Sequence, residues 1–95
     1  MDWYTGGVLS STGEMVVVSI QYRLGAWGFM SFANSDLTGN YGLMDQQLAI
    51  KFIYDHAAQI GGDKNRITIS GESAGSISVS LQMLHPVTCK CISIF

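Results

Sequence analysis

The longest apolar stretch of the chain is Met15-Val16-Val17-Val18-Ser19-Ile20-Gln21-Tyr22. It is nearly continuous rather than alternating, which is how a strand covered on both faces of a parallel sheet reads. A second β-branched run, Arg66-Ile67-Thr68-Ile69-Ser70, predicts a second buried strand. Between the two the period becomes helical. Residues 43 to about 58 predict a helix, with Leu48, Ala49, Phe52 and Ile53 on one face. Asp45 falls in its first turn, where a carboxylate suits the helix dipole, and Gly61-Gly62-Asp63 stop it. The stretch 76–84 continues as a helix that Pro86 closes. The predicted order is strand, helix, strand, helix. That order describes an α/β chain with two parallel strands joined by a right-handed crossover.

The rest is less patterned. In residues 1–14, Gly6-Gly7 and Gly13 break the sequence, and Val8-Leu9 fits a short helix or an extended piece. No phosphate-loop spacing follows Gly6-Gly7, so a turn is the expected reading. Residues 25–42 predict a long irregular connection carrying Trp27, Phe29, Phe32, Asn34, Gly39 and Asn40. Loops of this length are functional or are packed by their own aromatics. Trp27 and Phe29 either line an apolar pocket or pin the loop to the core, and pinning is the commoner role. Arg23, at the end of the first strand, is expected to be ion-paired. There are no repeats and no linker, so the chain reads as one unit.

The candidate chemistry lies between the second strand and the last helix, in Gly71-Glu72-Ser73-Ala74-Gly75. A G-x-S-x-G bend between strand and helix is the setting of a nucleophile elbow. The bend forces the serine into a strained backbone conformation and lifts its Oγ above the sheet. Gly71 and Gly75 are expected to lack side chains because strand and helix pass too close for a Cβ. The N–H of Ala74, at a helix N-terminus, then points toward a developing oxyanion.

Composition narrows the rest. The chain has 95 residues, 47% hydrophobic and 13% charged, with a net charge of −2. A chain this short leaves much apolar surface poorly covered. The charge is too weak to imply a nucleic-acid partner. No apolar run approaches membrane-spanning length, and Met1-Asp2-Trp3-Tyr4 does not open a signal peptide. Cys89 and Cys91, one residue apart, suit neither a disulfide framework nor a zinc site. No metal or cofactor is expected.

A serine nucleophile needs a base, and the base needs an orienting group. His56 lies in the first helix and is expected to face solvent. His85 is twelve positions after Ser73 on the same helix, hence roughly 18 Å away at 1.5 Å per residue. A proton transfer needs about 3 Å. In α/β-hydrolases acid and base follow the serine, and the residues after Ser73 contain no carboxylate side chain. The chain therefore reads as an incomplete catalyst.

Taken together, several stretches resemble the type-B carboxylesterase/lipase family, which includes the cholinesterases. They are Val16–Gly25, Gly28-Phe29, Gly39–Ala49, Gly61-Gly62-Asp63, Arg66–Ile69 and Gly71–Gly75, in that family's order and spacing. The likeness runs from about residue 14 to residue 86, with a divergent tail over 87–95. It implies an α/β-hydrolase fold and hydrolysis of small carboxylic esters through an acyl-serine. Ser73 matches the nucleophile and Ala74 the residue whose N–H is one oxyanion donor. Glu72 matches a buried glutamate in the floor of the substrate gorge. Arg23 and Asp45 match a structural salt bridge.

There are departures from the family pattern. The His-Gly-Gly-Gly oxyanion loop belongs upstream of the Val16 strand and is not in these residues. Tyr4-Thr5-Gly6-Gly7 resembles a later segment. The family's triad acid and histidine lie far downstream, and Lys64 stands where the family has proline. Secretion is the family habit, though no signal peptide is visible. The resemblance leaves three readings. One is a piece of a serine ester hydrolase, inactive alone. Another is an adhesion module of the neuroligin kind, although such relatives lack the serine that Ser73 supplies. The third is a truncated product without function.

Overall fold

The computed structural model describes residues 5–33 and 36–93. Asn34 of the long connection, the Met1–Tyr4 start and the last two residues of the tail lie outside them. Four α-helices run in order: α1 (Gly7–Gly13), α2 (Gly25–Phe29), α3 (Tyr41–His56) and α4 (Ala74–Leu84). Single 3-10 turns follow α3 at Ala57–Ile60 and α4 at Thr88–Cys91.

Among the described residues there is no strand. Both runs expected to be strands, 15–22 and 66–70, carry no ladder. The reason is physical: a strand exists only when a neighbour takes its backbone groups, and neither run takes the other's. The carbonyl of Ile67 instead accepts the N–H of Ser93, at 2.8 Å. The first run is correspondingly uncovered, with Met15, Val16 and Val18 all exposed.

The expected irregular connection contains α2. Gly25 enters it at φ +57, and the chain then turns tightly enough that a Cβ on Gly28 would lie 2.2 Å from the carbonyl oxygen of Arg23. A Cβ on Gly42 would meet the same oxygen at 2.5 Å and the Phe29 ring at 2.7 Å. These two glycines let α2 lie against the start of α3. Phe29 thus holds the connection to α3, while Trp27 is 84% exposed and does not pin the loop among the described residues.

α3 matches its predicted span closely, but its buried stripe is Gly42, Gln46 and Ile50, continued by Ala57 in the following turn. The expected face is only half covered: Leu48 is 71% and Phe52 57% exposed, while Ala49 and Ile53 are partly buried. The covered side is centred on Gln46 and Ile50 rather than on Leu48 and Phe52, because α2, α4 and the tail pack there. Asp45 lies beyond the first turn, which holds no acid, and faces Arg23 instead. Gly61, at φ +80, ends the helical run in the left-handed conformation. His85 ends α4 with extended backbone, as Pro86 requires of the residue before it.

The buried apolar set among the described residues is Ile50, Ala57 and Cys91. The radius of gyration is 14.7 Å, against about 12.5 Å for a compact domain of this length. The helices therefore pack locally around α3 without closing a core.

Candidate active site

Ser73 occupies the residue before α4, at φ 54 and ψ −119. Positive φ with this ψ is sparsely populated for any residue with a side chain. The first turn of α4 holds the bend from one side. Gly75 N–H donates to Glu72 O at 2.8 Å, Ser76 N–H to Ser73 O at 3.0 Å, and Ser76 Oγ to Ser73 O at 2.7 Å. A Cβ on Gly71 would lie 2.4 Å from both the carbonyl carbon and oxygen of Gly75 and 2.9 Å from Ser76 N. The helix backbone therefore passes directly over Gly71. A Cβ on Gly75 would meet nothing within 4 Å, so the expected crowding applies to Gly71 alone.

Ser73 is exposed, and no hydrogen bond among the described residues engages its Oγ. The N–H of Ala74, the first residue of α4, likewise has no acceptor among them. Glu72 is exposed rather than buried, so the described residues do not form the enclosed floor that the resemblance implies for it.

Neither histidine serves Ser73. His56 stacks on Phe52 with centroids 4.2 Å apart, and its Nδ1 lies 2.8 Å from Phe52 O. It is half-buried rather than facing solvent. His85 Nδ1 accepts the N–H of Val87 at 3.3 Å. No group of three His, Cys, Asp or Glu side chains among the described residues is placed to hold a metal. No described helix is long and apolar enough to cross a membrane.

Arg23 and Asp45 form a forked ion pair, with Nε to Oδ2 and Nη2 to Oδ1 both at 2.8 Å. The guanidinium also lies 5.3 Å from the centre of the Tyr41 ring. The pair ties the end of the first apolar run to α3. A second polar knot went unnoticed in the sequence. The Gln82 amide on α4 donates to Leu43 O at 3.0 Å and to Gln46 Oε1 at 3.1 Å. Thr88 Oγ1 packs against Gln82. No local pattern in the sequence signals this knot, because its members lie on separate elements and each alone reads as a surface residue.

A profile of the carboxylesterase family matches residues 1–93. The chain is 46% identical over 88 residues to cholinesterase 2 of Branchiostoma lanceolatum, covering 93% of this chain and 26% of that protein. It is 49% identical over 85 residues to liver carboxylesterase 1F of Rattus norvegicus, covering 90% and 15%. It is 48% identical over 83 residues to bile salt-activated lipase of Homo sapiens, covering 87% and 11%. The chain belongs to the carboxylesterase family, whose members have the α/β-hydrolase fold. It spans about a quarter or less of the length of these relatives.

Proposed function

We propose that these residues are the nucleophile-bearing segment of a serine hydrolase acting on small carboxylic esters. Ser73 is the nucleophile. Its Oγ attacks the ester carbonyl while a base from outside these residues takes its proton and passes it to the departing alcohol. The Ala74 N–H donates to the oxyanion as the tetrahedral intermediate forms. The alcohol then leaves an acyl-serine that water hydrolyses. Glu72 lies beside the nucleophile in the gorge of the completed site. In the complete fold, 15–22 and 66–70 are parallel strands joined through α3, with the Ser93 N–H kept on Ile67 O and further neighbours supplied from outside these residues.

The observation that carries this reading is Ser73 at φ 54 and ψ −119 before α4, in a chain of the carboxylesterase family. Strain of about 1–3 kcal/mol persists where surrounding structure imposes it, commonly at functional sites. With no imidazole beside Ser73, the 95 residues alone lack the base the chemistry needs, so the isolated chain is inactive. A fluorophosphonate probe tests this. It should label Ser73 in the full native chain that carries these residues, lose the label in Ser73→Ala, and leave the isolated 95 residues unlabelled. A folded full chain that resists the probe would favour the adhesion reading instead.

A second reading, a truncated product without function, rests on the same open apolar surface. Val8, Leu24, Trp27, Leu48, Ile77 and Leu84 are each more than half exposed, which is more apolar surface than a self-sufficient domain presents.

A further inference from the structure

The segment after Pro86 carries the most completely buried side chain among the described residues, Thr88 at 0% exposure. Its Oγ1 lies 2.6 Å from Gln82 O and 3.1 Å from Gln82 Oε1, and its single proton serves one of them at a time. The two protons of the Gln82 amide match its two acceptors, Leu43 O and Gln46 Oε1. Gln82 and Gln46 are buried at 2% and 4% exposure, and no buried side-chain polar atom among the described residues is left unpaired.

Five residues beyond Thr88, the Ser93 N–H donates to Ile67 O at 2.8 Å, and Ser93 Oγ donates to Asn65 O. One short segment is thus bonded to both arms of the bend that carries Ser73. It holds the outgoing helix at Gln82 and the incoming run at Ile67.

Apolar packing does not fix α4 in place. The one buried residue of α4 is Gln82, and its amide makes the only polar bonds from α4 to α3 among the described residues. Apolar contact is non-directional and tolerates sliding. A buried, fully satisfied amide does not, because any shift strands a donor at the full cost of its desolvation.

We infer that residues 87–93 clamp the Ser73 bend in place on α3, with Gln82, Thr88 and Ser93 as positioning residues. The kinetic consequence rests on the ester-hydrolase reading above. A misplacement near 1 Å at a reacting group costs on the order of 10²-fold in rate, so a clamp acting through α4 shows in the chemical step rather than in substrate capture.

The test compares Thr88→Val, which removes the hydroxyl at nearly constant volume, with Thr88→Ser, which keeps it, in the full native chain. Fluorophosphonate inactivation is resolved into its limiting rate and its saturation constant, and hydrogen exchange is followed at amides 75–77, which are bonded to Glu72 O and Ser73 O. Thr88→Val should lower the limiting rate about 10-fold or more, leave the saturation constant unchanged and hasten exchange at those amides. Thr88→Ser should behave as the unmutated chain. Should Thr88→Val not fold, Ser93→Pro on the other arm, which removes the N–H that Ile67 O accepts, takes its place with the same readouts.

The clamp is overturned if the exchange at 75–77 does not change, if the limiting rate is unaltered, or if Thr88→Ser loses as much as Thr88→Val. An unmutated, folded chain that never labels overturns the hydrolase reading instead. The exchange result then decides the clamp by itself.

Discussion

Arg23 grips Asp45 at three points: two guanidinium bonds of 2.8 Å and a backbone N–H at 3.0 Å to Oδ2. The side-chain bond from Arg23, followed by its backbone N–H, holds the Asp45 carboxyl down at about 2, and the carboxylate holds the guanidinium up in turn. The Asp45 side chain is 26% exposed and that of Arg23 53%, so solvent screens part of the attraction. A carboxyl held low in the folded state contributes stability above its unfolded pKa, near 4, and loses it as pH falls through the folded value. The stability gap between the full native chain and Asp45→Asn should therefore be flat from neutral pH down to about 4 and close toward pH 2. Urea titrations across that window read it directly, and a gap that persists at pH 2 would contradict the linkage.

Gly71→Ala and Gly75→Ala should part company. At Gly71 the new methyl would meet the helix backbone at 2.4 Å, and backbone cannot move aside as a side-chain tip can. Overpacking of this kind costs about 1–3 kcal/mol or more. At Gly75 the space is open and the position is helical, so alanine should be neutral or stabilising by up to about 1 kcal/mol. Thermal melts of the two variants, paired with probe labelling, should rank them in that order.

Ser73→Gly should stabilise the fold while abolishing labelling. The residue stands at φ 54, a conformation glycine adopts freely. Relief of roughly 1–3 kcal/mol of strain exceeds the extra unfolded-state freedom of glycine, about 0.5–1 kcal/mol. A melting temperature below that of the unmutated chain would argue that the bend carries no strain.

The isolated 95-residue chain should bind hydrophobic dyes and melt without a sharp transition. Ile50, Ala57 and Cys91 are its buried apolar side chains among the described residues; a fully buried isoleucine contributes only about 1.5–3 kcal/mol, and an alanine methyl about 0.8 kcal/mol. A sharp two-state melt of monomeric chain, with no dye bound, would refute this.

Family and local elements were legible because they are written in short-range pattern. Gly71–Gly75 with a helix behind it, α3 from its period, and the stops at Gly61 and Pro86 all depend on neighbours a few positions away. The facing of α3 was not legible. Leu48 and Phe52 are as apolar as Ile50, and only the position of α4 and the tail decided which side was covered. The Gln46–Gln82–Thr88 knot was hidden for the same reason, since its members are up to 42 positions apart and each alone reads as a surface residue.

By itself, then, the sequence determined the kinship with carboxylesterases and the bend at Ser73, since glycine spacing and backbone preference act locally. The tertiary structure decided that the segment after Pro86 is packed against α3 and α4, and that neither apolar run becomes a strand among the described residues. Pairing and burial are properties of neighbours, and which groups become neighbours is not set by any one stretch of chain.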